Sequence, residues 1–173
     1  MRNIVIALFT SFVLSLFSCG ERPNSKIVDI VSEWQGKEIV FPENIVFTWY
    51  GKDTLSYQIP ESDYKIVMYT DSVGCTKCKL QLYKWREFIK EVDTLTGGSI
   101  PVLFIFHPMN KKEISYLLRR DGIDIPVYID IDDQTNKINH FPSQQQFQCF
   151  LLDKDNKVVY IGGPVNNIRV KRL

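Results

Sequence analysis

The sequence predicts an α/β fold with a central mixed β-sheet, and three features of its pattern carry that prediction. A nearly continuous apolar run at residues 64–69 has the composition of a strand buried on both faces. Apolar residues spaced four and three apart then follow, which is the pattern of one helix face. Two more apolar runs separated by a short amphipathic helix, and a closing β-hairpin, complete the pattern.

The first eighteen residues are expected to be a signal peptide. Arg2 supplies a positive start, and the apolar and small-residue run after it is too short to cross a membrane comfortably. The run ends in LSLFSCG, which resembles the lipobox of bacterial lipoproteins, where the cysteine is lipidated and becomes the new N-terminus. Cys19 is therefore the predicted lipidation site. The alternative is an ordinary secretory signal in which Cys19 is a plain thiol.

The rest of the chain has a size that suits one domain. Residues 19–26 are mostly polar and are predicted to be a tether, and residues 27–173 are predicted to form the domain. The 173-residue chain carries 21 Lys and Arg against 20 Asp and Glu, and loss of Arg2 with the signal peptide leaves a balance of zero. This balance argues against a nucleic-acid partner, and a monomer is expected.

The elements are predicted in order from hydrophobic periodicity and turn signals. The predicted helices are 27–34, one beginning near the cysteine pair at residue 75 and reaching Val92, and 111–120. The predicted strands are 38–41, 45–49 and 54–59, which form an N-terminal β extension, then 64–69, 101–106, 126–129, 147–152 and 157–161. A polar stretch at 130–146 is left without a predicted element.

Cys75 and Cys78 lie in the segment YTDSVGCTKCKLQLYKW, between the first buried strand and the amphipathic helix. Their spacing suits a disulfide-exchanging pair and half of a metal site equally well. With Cys19 lipidated, the only other thiol is Cys149. An odd number of thiols outside the cytoplasm argues against a disulfide framework.

The predicted position of Cys75 at a helix start gives a physical reason for redox chemistry. Unpaired backbone N–H groups and the positive end of the helix dipole both stabilise a thiolate, and Lys77 and Lys79 add positive charge. Because the thiolate is the attacking species, Cys75 is the predicted nucleophile, and Cys78 is the predicted resolving thiol. Asp71 is either a proton acceptor for Cys78 or a solvated loop carboxylate. The alternative for the pair is a static disulfide.

The segments KIVMYTDSVGCTKC and FQCFLLDKDNKVVYIGG resemble the thioredoxin-like fold, over about residues 62–165. The resemblance is to its membrane-tethered, extracytoplasmic branch, which is related to thiol-disulfide oxidoreductases and cytochrome maturation proteins. It implies a three-layer sandwich, a redox-active CxxC pair, no cofactor, and an extracytoplasmic thiol or disulfide protein as partner. It also implies a lipid-anchored location in the bacterial cell envelope, facing the periplasm or the cell surface. Asn156 stands where the family's turn has glycine.

One departure from that family concerns the loop that faces the substrate. The family has a cis-proline there, and counting back from the final hairpin puts Phe147 in its place, so Gln146 and Phe147 are the predicted substrate-binding residues. A non-proline cis bond costs about 2.5–4 kcal/mol, so this bond is predicted to be trans and the loop to differ in shape. Pro142 takes the role only if the loop is realigned.

Cys149 is expected on the same strand face as Phe147, either as a buried small hydrophobe or as a third thiol near the pair. A metal-handling module for copper or zinc is an alternative function, with Cys75, Cys78 and either Cys149 or a histidine as ligands. The histidines are His107 and His140. The predicted function includes no metal. A non-catalytic thioredoxin-like binding domain is the other alternative.

Overall fold

The computed structural model describes residues 25–73 and 80–165. The predicted signal peptide, Cys19, Cys75, Cys78 and the basic C-terminal tail lie outside these ranges. The helices are α1 (Ser25–Trp34), α2 (Leu82–Thr96), α3 (Lys111–Arg120) and α4 (Gln134–Asn139), with a 3₁₀ turn at Gln145–Phe147. The strands are β1 (Phe47–Trp49), β2 (Asp53–Thr54), β3 (Tyr64–Thr70), β4 (Val102–Phe106), β5 (Val127–Ile129), β6 (Cys149–Asp153) and β7 (Val158–Ile161).

The chain divides into two compact units, Met1–Ser32 and Glu33–Leu173. The described part of the first unit, residues 25–32, is helical. The second unit contains the sheet and all the elements after α1. Within the described ranges, no helix has both the length and the apolar character needed to cross a membrane.

All seven described strands form one mixed sheet, in the order β2-β1-β5-β4-β3-β6-β7. Strands β3, β4 and β5 are parallel, while β6 and β7 extend the sheet on one side and β1 and β2 on the other, in antiparallel pairs. Six of the seven residues of β3 and all five of β4 are buried, as the continuous apolar runs predict. The predicted α/β fold with a central mixed sheet is confirmed.

Helices flank this sheet because alternate strand residues point to opposite faces. One face carries Met68 and Phe104, which belong to a core cluster with Leu82 and Trp85 of α2 and Leu117 of α3. The other face is aromatic. Its rings, with centroids 4.8–5.8 Å apart in each contacting pair, are Trp34, Tyr69, Phe141 and Phe150.

The turn between β6 and β7 has the special residue that the sequence predicts. Asn156 has φ 60°, the left-handed conformation in which glycine and asparagine are favoured. The Asp153 carboxylate accepts hydrogen bonds of 2.9 Å from the backbone N–H groups of Asp155 and Lys157. The buried Lys65 donates to Asn156 Oδ1 over 2.8 Å, which ties the turn to β3.

Several predicted boundaries are wrong. The segment 38–41 forms only an isolated bridge between Glu38 and Lys157, and the predicted strand 54–59 shrinks to Asp53–Thr54. The final strand pair begins at Cys149, because the predicted first residue, Phe147, lies in the 3₁₀ turn. Helix α4 lies in the stretch 130–146, for which the sequence predicts no element. Its residues, QTNKIN, are mostly polar and have no apolar periodicity, so the sequence pattern does not indicate a helix.

Candidate functional site at the carboxyl edge of the sheet

Strand β3 ends at Thr70, at the carboxyl edge of the parallel strands, and Cys75 follows five residues later in the sequence. Because β3, β4 and β5 run in the same direction, their last residues lie along one edge of the sheet. The His107 backbone N–H donates to Thr70 O over 2.9 Å, which joins the segments that follow β3 and β4. Cys75 and Cys78, the predicted catalytic residues, lie outside the described residues, so their assignment stays a prediction.

Helix α2 does not begin where the sequence predicts. Its first residue is Leu82, and the preceding residue, Gln81, is left-handed with φ 41° and ψ 44°. A left-handed residue interrupts a right-handed helix, so α2 is separated from Leu80, which is also helical. The helix predicted to run from near Cys75 to Val92 is therefore broken at Gln81, and apolar spacing alone carries no signal for such a break. Its predicted start near Cys75 lies outside the described residues.

A buried carboxylate organises the neighbouring part of this edge. Asp130 follows β5 and is 1% exposed. Its two oxygens accept from the backbone N–H groups of Gln134 and Thr135 at 2.8 and 2.7 Å, which satisfies the first donors of α4. The Asp130 carbonyl oxygen lies 2.9 Å from Nδ1 of His107, so that nitrogen is the donor and carries the proton. Both groups therefore have structural partners.

Tyr69 connects β3 to the residue before α4. The Tyr69 ring is 1% exposed, and its hydroxyl donates to Asp133 Oδ1 over 2.6 Å. Burial, followed by the hydrogen bond to Asp133, raises the pKa of Tyr69 well above its ordinary value. The tyrosine is therefore a permanent hydrogen-bond donor at physiological pH and not a proton carrier.

Asp71 and Gln148 form a polar contact beside the cysteine segment. Asp71 follows β3 directly, and its Oδ2 accepts from Nε2 of Gln148 over 3.0 Å. The same amide donates to Pro142 O, also over 3.0 Å. Asp71 is thus bound to the protein and is not simply a solvated loop carboxylate. Gln148 was not predicted as a site residue, although a glutamine inside the apolar run FQCFLL is a signal of a buried polar role.

The predicted substrate-binding residues lie in the 3₁₀ turn that precedes β6. Phe147 is 7% exposed, whereas Gln146 is exposed. Among the described residues no peptide bond is cis, so the bond between Gln146 and Phe147 is trans, as predicted. A short helical turn therefore stands at the position that the resemblance assigns to a cis-proline. Of the pair, Gln146 is the residue whose side chain a partner protein can reach.

Cys149 is embedded in the core. It lies opposite Met68 in the β3–β6 register, is 5% exposed, and belongs to the apolar cluster that also includes Leu80 and Leu82. Burial raises the pKa of the Cys149 thiol to about 12, against a smaller lowering effect of a backbone hydrogen bond at Phe150. The thiol is therefore un-ionised at physiological pH, which is the behaviour of a small apolar core residue.

Two ligands of the metal alternative, Cys75 and Cys78, lie outside the described residues. No cluster of three or more His, Cys, Asp or Glu side chains suited to a metal occurs in residues 25–73 and 80–165. His107 is bound through Nδ1 to a backbone carbonyl, and His140 is exposed and left-handed at the C-terminal cap of α4.

Comparison with solved structures assigns the fold. The thioredoxin domain of a thiol-disulfide oxidoreductase from Bacteroides vulgatus superimposes with a TM-score of 0.55 at 13% identity, over 80% of this chain and 96% of that one. A thiol-disulfide oxidoreductase from Bacteroides fragilis gives 0.53 at 14% identity, over 79% and 98%. StoA from Bacillus subtilis gives 0.50 at 15% identity, over 70% and 90%.

These similarities define the class of protein by its fold. The mixed seven-stranded sheet with flanking helices is a thioredoxin-like α/β fold. No family model matches the sequence, and no curated protein matches it. At identities of 13–15%, the solved structures establish the fold alone.

Proposed function

We propose that this protein is a lipid-anchored, extracytoplasmic thiol-disulfide oxidoreductase that exchanges disulfides with partner proteins through Cys75 and Cys78. One observation supports the proposal above the others. In a sheet of thioredoxin-like topology, the CxxC sequence begins five residues after β3, the buried parallel strand that ends at Thr70. Two solved proteins of similar fold, from Bacteroides fragilis and Bacteroides vulgatus, are thiol-disulfide oxidoreductases, which agrees with the proposal.

In the reductive direction, the Cys75 thiolate attacks one sulfur of a substrate disulfide. The substrate S–S bond breaks, a mixed disulfide forms, and the released substrate sulfur leaves as a thiolate that takes up a proton. The Cys78 thiol then loses its proton and attacks the Cys75 sulfur. This step forms the Cys75–Cys78 disulfide and releases the second substrate thiol. The substrate gains the two electrons that the cysteine pair loses, and the oxidative direction reverses each step.

The proposal also includes a place and a partner. Cys19 carries the lipid, the domain works as a monomer in the bacterial cell envelope facing the periplasm or the cell surface, and the partner is an extracytoplasmic protein with a reactive thiol or disulfide. The sequence LSLFSCG supports the anchor, and the near-zero net charge of the mature chain fits a protein partner better than nucleic acid.

Equilibration of the full-length chain with glutathione redox buffers tests the proposal. We expect the Cys75–Cys78 pair to pass from disulfide to dithiol within the range of these buffers, as residue-resolved mass spectrometry of alkylated peptides measures it. A pair that stays oxidised in the most reducing buffer behaves as a structural disulfide, whose potential usually lies below about −300 mV, and the binding-domain alternative then replaces the proposal. Metal that co-purifies with the reduced chain, one ion per molecule, favours the metal-handling alternative.

A further inference from the structure

Gln148 is a buried polar residue that contacts Asp71, four positions before Cys75 in the sequence. It directly precedes β6, is 3% exposed, and is surrounded in sequence by Phe147 and Cys149, which are also buried. Its Nε2 donates to two groups from different loops, Asp71 Oδ2 and Pro142 O, each over 3.0 Å. Its Oε1 is buried and has no partner among the described residues. Burial of an amide is costly unless its bonds are made, so these two contacts hold its position.

The contact places a defined charge just upstream of the cysteine pair. Asp71 Oδ1 accepts from the Val73 backbone N–H over 2.9 Å, while Oδ2 accepts from Gln148. Each oxygen of the carboxylate thus has an N–H donor, an arrangement that favours the ionised form of a carboxylate. The bond from Gln148 also joins the residue that follows β3 to the residue that precedes β6. The carboxylate is therefore held in one place.

A fixed negative charge near Cys75 acts on the ionisation of its thiol. Four Cα–Cα steps of chain join Asp71 to Cys75, so their Cα atoms can be at most about 14 Å apart. A negative charge at such a range disfavours a thiolate, and a hydrogen-bond donor on the carboxylate offsets part of that effect. How strongly the Asp71 carboxylate disfavours the Cys75 thiolate therefore depends on the hydrogen bond that Asp71 accepts from Gln148.

We infer that Gln148 is a positioning residue for the thiol chemistry: through its hydrogen bond to Asp71 it sets how readily Cys75 ionises and therefore how fast Cys75 attacks. The inference rests on the proposed function of the Cys75–Cys78 pair. It assigns Asp71 the role of a fixed charge that tempers the nucleophile, in place of the proton acceptor for Cys78 that the sequence suggests. Gln148 acts through Asp71 and is not itself in contact with substrate.

The test is the rate at which Cys75 in the reduced full-length chain is alkylated at pH 6, where the rate follows the thiolate fraction. Asp71→Asn removes the charge and is expected to raise the rate roughly threefold, because a nearby negative charge lowers the thiolate fraction. Gln148→Ala leaves the charge and removes its donor, so the rate is expected to fall roughly twofold. In the double variant, Gln148→Ala is expected to add nothing to Asp71→Asn, because the charge through which it acts is gone.

Asn139→Ala is the matched control. Asn139 is also a buried side-chain amide, 4% exposed, and it bonds to Val40 and Thr135. We expect it to lower the urea midpoint without a change in the Cys75 rate. Asp71 is only partly buried and its replacement keeps its shape, so that variant remains informative even if Gln148→Ala folds poorly.

Two results overturn the inference, and they differ. In the first, Cys75 of the unmodified chain reacts faster than an ordinary thiol, but Asp71→Asn leaves its rate unchanged, or Gln148→Ala slows it equally with and without the Asp71 carboxylate. The positioning role is then wrong and the proposed function stands. If Cys75 of the unmodified chain reacts no faster than an ordinary thiol, the proposed function fails and the positioning role fails with it.

Discussion

Replacement of Cys75 by serine is expected to abolish disulfide exchange, with a loss of roughly three orders of magnitude or more in rate. A serine hydroxyl is not ionised near neutral pH and does not form a mixed disulfide, so the attacking species disappears. Replacement of Cys78 by serine is expected to have a different effect: the first attack proceeds and the mixed disulfide with the substrate accumulates, because no second thiol resolves it. Turnover of a small disulfide substrate and non-reducing electrophoresis measure the two outcomes.

Cys149→Ala is the control for both variants. Cys149 is buried in the apolar cluster and its thiol is un-ionised at physiological pH, so its loss is expected to leave the exchange rate within about twofold of the original value. An exchange rate that drops as far in Cys149→Ala as in Cys75→Ser would make Cys149 a working thiol, and the two-cysteine mechanism would then be wrong. Exchange that persists in Cys75→Ser would contradict the assignment of the nucleophile.

The largest effect on stability is expected for Phe104→Ala. Phe104 is fully buried in β4, and its ring centroid lies 5.3 Å from that of Trp85 on α2 and 5.5 Å from that of Phe106. Truncation removes the buried ring and leaves a cavity between the sheet and α2, which together are expected to lower the free energy of unfolding by about 3–5 kcal/mol. Chemical denaturation followed by tryptophan fluorescence measures the change.

Met109→Ala provides the comparison for Phe104→Ala. Met109 lies three residues beyond the end of β4 and is 81% exposed, so its truncation is expected to change the free energy of unfolding by no more than about 0.5 kcal/mol. Equal effects at the two positions would contradict the description of the core. A loss below about 1 kcal/mol for Phe104→Ala would show that the sheet and α2 are packed less tightly than the ring contacts indicate.

The elements that the sequence predicts correctly are those whose apolar pattern reports burial directly. Strands β3 and β4 are buried along almost their whole length. Helix α3 spans the predicted residues, and its start is fixed because the Asn110 side chain accepts from the backbone N–H groups of Lys112 and Glu113. Such local signals need no knowledge of partners. The predicted strand at 54–59 fails because an extended segment becomes a strand only when a neighbouring strand pairs with it, and only Asp53–Thr54 finds such a partner.

The polar elements of the site depend on contacts that no local pattern shows. Helix α4 has no apolar stripe. Its first backbone N–H groups donate to Asp130, and the side chain of Asn139 both accepts from and donates to the backbone of Val40, 99 positions away. The contact between Asp71 and Gln148 likewise joins residues 77 positions apart. The cysteine pair itself is recognised as a sequence motif, and the residues around it, 74–79, lie outside the described ranges.

The central claim is that Cys75 is an activated nucleophile, and the most direct measurement is a pH titration of cysteine alkylation in the reduced full-length chain, with each cysteine followed by mass spectrometry. We expect Cys75 to react with an apparent pKa well below the free-thiol value of about 8.5, and Cys78 to stay protected. Cys149 is expected to react only after denaturation, because burial raises the pKa of its thiol to about 12. If Cys75 and Cys78 both react slowly with ordinary thiol pKa values, the redox mechanism has no physical basis and the account is wrong.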